Sequence, residues 1–124
     1  MNFRGLGLLI ALAACGDKTT NPAAQQATFF PGEFQQSYVQ VRDCRLSIEH
    51  ELHQVVVYAS PEAAAAYAEG LYPLAPGTTL VKLLYDDPLC QTLAGYVAMR
   101  KAPPSAGGDW EWQTVDARGK VQQS

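Results

Sequence analysis

Lys82 lies in the run Pro76 to Asp87, P-G-T-T-L-V-K-L-L-Y-D-D, between Leu80 and Leu84. In a strand these three side chains share one face, with Thr79, Val81, Leu83 and Tyr85 on the other. Leucines flanked by polar turns are buried, so the pattern draws the Lys82 amine partly inward. Desolvation there lowers the pKa of an ammonium, and a nearby carboxylate opposes the shift. Asp86, two residues along on the same face, is the nearest carboxylate by sequence, about 7 Å away at the backbone. The pattern alone equally suits a solvated edge-strand lysine, since lysine is rarely buried without a partner. The expectation is therefore a half-buried Lys82 beside a cleft, not a catalytic lysine.

The two histidines are His50 and His53, in the run Glu49-His50-Glu51-Leu52-His53. On one helix face they could ligate iron or zinc, with Glu49 or Glu51 joining. On a strand or loop that geometry fails. A local H-x-x-H without cysteines is a weak metal signal, and the expectation is a surface or hydrogen-bonded pair with both glutamates solvated. Trp110 and Trp112 alternate along a strand pattern, which fits a cofactor wall but is more commonly core. No nucleophile-elbow serine, phosphate loop or paired-carboxylate pattern occurs.

The three cysteines divide by context. Leu12-Ala13-Ala14-Cys15 follows Arg4 and a short apolar run, Leu6 to Ala14. That run is far short of the ~20 residues of a membrane span. It has the form of a secretory leader. The tetrapeptide resembles the lipobox of bacterial lipoproteins, which implies a signal peptide over 1–14 and acylation of Cys15. Several acyl chains anchor a protein stably where one does not. Gly16 stands where an aspartate would imply inner-membrane retention, so the expected location is the outer membrane, facing the periplasm. In that oxidising compartment the even pair Cys44 and Cys90 is expected to form a disulfide. A pair of reactive thiols is the alternative.

The elements that must position these groups follow in chain order. Residues 15–28 have few large apolar side chains and read as a lipidated N-terminus and flexible tether. From Phe29 the aromatic content rises, and 29–124 forms one small domain that a covalent staple would help. Val39 to His53 is ambiguous between helix and strand. Gln54 to Ala59 is a strand by its valines and tyrosine. Ser60-Pro61-Glu62 starts a helix, with Ser60 as N-cap, and Gly70 ends it. Leu93 to Arg100 and Trp110 to Val115 are strands, with Leu93, Gly95, Val97 and Met99 sharing a face. Asp86-Asp87-Pro88 and Asp116 to Gly119 are turns, and a last strand starts near Lys120. The expectation is an α+β domain: a mainly antiparallel sheet of four or five strands with the 61–69 helix packed against it. The formal charge of −3, −4 once Arg4 is removed, comes with no basic run and argues against nucleic acid.

Several stretches together resemble the cytochrome P-460 family. They are Arg42-Asp43-Cys44-Arg45-Leu46-Ser47-Ile48-Glu49-His50, then V-V-V-Y-A-S-P-E with its alanine helix, then G-T-T-L-V-K. Asp86-Asp87-Pro88 with Cys90, Met99-Arg100-Lys101, and Trp110-Glu111-Trp112 with Val115-Asp116 complete the set. The resemblance covers about residues 40 to 121. It implies a mainly antiparallel, envelope-located domain carrying haem c. Catalytic relatives oxidise small nitrogen compounds such as hydroxylamine, or bind NO, and cross-link a lysine to the haem edge. That lysine matches Lys82, although Leu83 replaces the glutamate that follows it in the family. The family's haem-attachment motif C-x-x-C-H occurs nowhere in these residues. The resemblance therefore implies an envelope-anchored module without covalent haem, binding a small ligand or a partner protein. The alternative is a haem-dependent redox protein that gains its haem non-covalently or from a following polypeptide.

Overall fold

Alternation of apolar side chains along Thr79–Tyr85 needs two covers, one for each face, and the fold supplies both. The computed structural model describes residues 27–124. The expected signal peptide over 1–14, Cys15, and all of the tether up to residue 26 lie outside the described residues. Six strands follow one another as a meander: β1 (Val39–Leu46), β2 (Gln54–Ala59), β3 (Thr79–Tyr85), β4 (Leu93–Lys101), β5 (Trp110–Asp116) and β6 (Val121–Gln123). Every neighbouring pair is antiparallel, and the sheet order is the chain order. A single helical turn, α1 (Phe34–Ser37), precedes β1, and the longer helix α2 (Pro61–Glu69) joins β2 to β3. The fold is thus α+β with six strands rather than four or five. β1 emerges from the segment whose sequence fits helix or strand equally.

On one face α2 lays Ala63, Ala64, Ala66 and Tyr67 over Ala59, Leu80, Val97 and Met99, with Leu74 closing the edge. Alanines let a short helix approach closely, and packing rather than propensity stabilises nine residues. Pro61 occupies the first turn and Gly70 the left-handed C-cap at φ 67°, as the sequence suggests. Ser60 stands at the N-cap but caps no helix N–H with its side chain. Its Oγ instead faces the Thr79 N–H at 3.5 Å, joining the helix start to β3.

The opposite face is aromatic. Phe34 packs edge-on to Tyr58 and Tyr96, and Phe30 stacks at a tilt beside Tyr96. Val56, Val81 and Leu83 lie beneath them. Gln113, fully buried, ties this cover down. Its Oε1 accepts from the Phe29 and Phe30 N–H groups at 3.1 and 3.2 Å, and its Nε2 donates to the Ala27 carbonyl at 3.2 Å. The last residues of the expected tether are therefore held against β5.

The ladders carry two irregularities. In β1 the register shifts between Gln40 and Arg42 and again between Arg42 and Arg45. At the β3–β4 end Leu84 pairs with Gly95 but Tyr85 with Leu93, skipping Ala94. This bulge moves Leu93 off the face of Val97 and Met99 and into the aromatic cluster, against strict alternation. The turn beyond it is built on Asp87, whose carboxylate accepts from the Thr92, Gln91 and Leu89 N–H groups. Those bonds, that of Thr92 above all, hold the carboxyl below its ordinary pKa. Cys90 in the same turn is bonded to Cys44 of β1, with Cα atoms 6.1 Å apart. The expected disulfide therefore clips the first strand to the β3–β4 turn.

Candidate functional site

Lys82 sits at the middle of β3, paired to Val57 on one side and Val97 on the other. Both valines are buried and share its face, so the lysine stem crosses an apolar floor while the amine stays half-buried. The side chain that meets it comes from 32 positions earlier. His50 Nε2 is 3.1 Å from Lys82 Nζ. The ring of Trp112, from β5, lies on the same side with its centroid 5.7 Å from the amine. Trp112 remains 46% exposed, so it borders the site as an open wall.

The β1–β2 connection delivers His50. A 3₁₀ turn over Ile48–His50 is followed by two non-glycine residues in the left-handed region, Glu51 at φ 52° and Leu52 at φ 66°. Such conformations are uncommon for these side chains, and they persist only where the surroundings impose them. Backbone bonds from Ser47 N–H to the His53 carbonyl and from His53 N–H to the His50 carbonyl close the loop. The loop projects His50 over the sheet toward Lys82.

The protons of the pair follow from its geometry. An ammonium can only donate, so the charged lysine requires an unprotonated His50 Nε2, with the ring proton on Nδ1. Burial lowers the pKa of His50, the Lys82 charge and His53 lower it further, and Glu49 opposes them. Burial likewise lowers that of Lys82, with Arg42 adding to the effect and Glu49 opposing it. Both groups are thus biased toward their neutral forms. Among the described residues no carboxylate lies within ion-pairing distance of Lys82.

Asp86, the carboxylate nearest in sequence, belongs elsewhere. It lies 3.2 Å from His53 Nε2, while His53 Nδ1 is 2.7 Å from the His50 carbonyl oxygen. Both ring nitrogens of His53 thus face oxygen atoms. The expected Lys82–Asp86 approach is therefore replaced by Lys82–His50 and His53–Asp86. The reason is the curl of the β1–β2 loop, which inserts two imidazoles where sequence spacing offered one carboxylate.

The two histidines do not form a ligand pair. Each directs Nε2 to a different protein partner, and no cluster of metal-ligating groups occurs among the described residues. An imidazole is one of the side chains that can ligate a haem iron. With both Nε2 atoms engaged by protein partners, neither His50 nor His53 is oriented as a haem ligand in this arrangement. Trp110 is half-buried against the α2 face, while Trp112 is the more open of the two, so only one of the expected core tryptophans is core. Two cavities formed by described residues, one at the α2 start and one along β1, do not include Lys82 in their lining. His50 as the partner of Lys82 is the feature that sequence reading missed, because nothing local links the two residues. No family model matches this chain, and neither a curated protein nor a solved structure matches it.

Proposed function

We propose that the chain is a cytochrome P-460-like lipoprotein of the bacterial envelope, anchored through Cys15, whose Lys82 face binds a small ligand or a partner protein. The observation that carries the binding part of this reading is the Lys82–His50 contact beside the open ring of Trp112. A polar dyad on an apolar floor, next to an exposed aromatic wall, has the composition of a small-molecule site. The lysine that the P-460 resemblance selects is the same one. A haem-free module fits the donor set better than a haem protein, since neither histidine offers a free Nε2.

Two measurements test this. Protein made in a host competent for haem maturation is expected to lack a Soret band; a strong band would replace the binding module with a haem-dependent redox protein acting on hydroxylamine or NO. In a fragment screen by heteronuclear NMR, perturbed amides are expected around His50, Lys82 and Trp112. Perturbations confined to other faces would remove the site.

A further inference from the structure

We infer that Lys82 and His50 form an amine–imidazole dyad that condenses with small aldehydes or ketones carrying an apolar or aromatic substituent. This rests on the Lys82 face being the ligand face, and it names the ligand's reactive group. Three features of the site lead there. The amine has an imidazole nitrogen at 3.1 Å and, among the described residues, no carboxylate at ion-pair distance to hold its proton. Its stem lies between buried valines, so the surroundings penalise the charged form and favour the nucleophilic one. The Trp112 ring stands 5.7 Å from the amine and is open to solvent, where it can take the flat apolar part of a carbonyl compound. Lys101 and Lys120 differ: the first lies over Trp110, the second is exposed, and neither is hydrogen-bonded to an imidazole.

The chemistry balances without an added reagent. His50 Nε2 takes one proton from the Lys82 ammonium, leaving a free amine and an imidazolium. The amine lone pair forms the C–N bond while the carbonyl π pair moves to oxygen. One proton passes from nitrogen to that oxygen, giving a neutral carbinolamine. The His50 imidazolium then protonates the hydroxyl, the C–O bond breaks, and water leaves. The product is a protonated imine on Lys82, with His50 neutral again. His50 thus acts first as base and then as acid.

The test uses the full-length protein in detergent, with benzaldehyde as the probe and cyanoborohydride to trap the imine, at neutral pH. Peptide mapping is expected to find Lys82 benzylated at least about a hundredfold faster than Lys101 or Lys120, the lower end of what a positioned acid–base group supplies. His50→Gln should remove that advantage while leaving the other two lysines unchanged, and Trp112→Leu should remove the preference for benzaldehyde over propanal. Unfolding midpoints of both variants separate chemistry from misfolding, and the wild-type ratio needs no variant. Equal labelling of the three lysines, or a Lys82 rate indifferent to His50→Gln, overturns the inference. If fragments perturb His50, Lys82 and Trp112 but no imine is trapped, the ligand face stands and the carbonyl chemistry falls. If neither occurs, both fall.

Discussion

At the scale of single residues, the informative quantity is which proton sits where. The unfolded His50 ring takes up a proton at its ordinary pKa of about 6.5. The folded ring resists because it is partly buried and faces Lys82, with His53 adding and Glu49 opposing. The unfolded state therefore binds more protons as pH falls below about 6.5, and folding stability declines there. His50→Gln should flatten that part of the curve, read as a smaller drop in urea midpoint between pH 7 and pH 5. An equal drop in both proteins would place the acid sensitivity elsewhere. For Lys82 the same sign applies at alkaline pH: its stability penalty fades as pH rises toward its ordinary value. Lys82→Met keeps the stem and removes the charge, so the unfolding free energy should change by less than about 1 kcal/mol. A loss of several kcal/mol would make Lys82 a structural ion-pair partner instead. Sequence alone showed that Lys82 leans inward, because two leucines share its face. It could not show His50, which arrives from the 3₁₀ turn of the β1–β2 loop, whose left-handed residues at 51 and 52 carry no glycine signal.

At the scale of elements, local chemistry was legible where one pattern acted alone. The proline and glycine that bracket α2, the valines of β2 and the alternation of β3 each sufficed. β1 was not legible, because its side chains are mostly solvent-exposed and two register shifts break the period of two. Its charges and bulges suit an edge strand that must not pair further. The disulfide fixes that edge to the β3–β4 turn across 46 positions. By loop-closure entropy, Cys44→Ser with Cys90→Ser should cost roughly 2–4 kcal/mol, visible as a lower urea midpoint. Gln113 was equally hidden, since a polar residue between Trp112 and Thr114 reads as outward-facing. It is buried because the segment before α1 supplies its partners. Gln113→Leu leaves the Phe29 and Phe30 N–H groups and the Ala27 carbonyl unpaired. The expected loss is about 1–3 kcal/mol, with faster hydrogen exchange over 27–34 and little change in β3 and β4. Unchanged exchange at 27–34 would show that the aromatic contacts alone hold the strap.

At the scale of the whole molecule, the two faces of the sheet have different tasks. The aromatic face receives the incoming chain, tied by Gln113, and the other face carries α2 and the Lys82 site. On the lipid-anchored reading, Cys15 precedes Ala27 by 12 positions. A chain of that length reaches at most about 40 Å, enough for the domain to stand off the membrane or to turn on it. Because the chain joins the domain on the face opposite Lys82, anchoring should leave the amine accessible. Cys15→Ser is expected to abolish incorporation of a labelled lipid precursor and to shift the protein from the membrane fraction to the soluble one. Benzaldehyde trapping at Lys82 should then proceed at the same rate in the vesicle-bound wild type and in the soluble variant. A slower rate on vesicles would mean that the Lys82 face lies against lipid, which would make the bilayer, not a soluble small molecule, the first candidate for what that face meets. Label incorporation that survives Cys15→Ser would remove the anchor itself, and with it the orientation argued from Gln113.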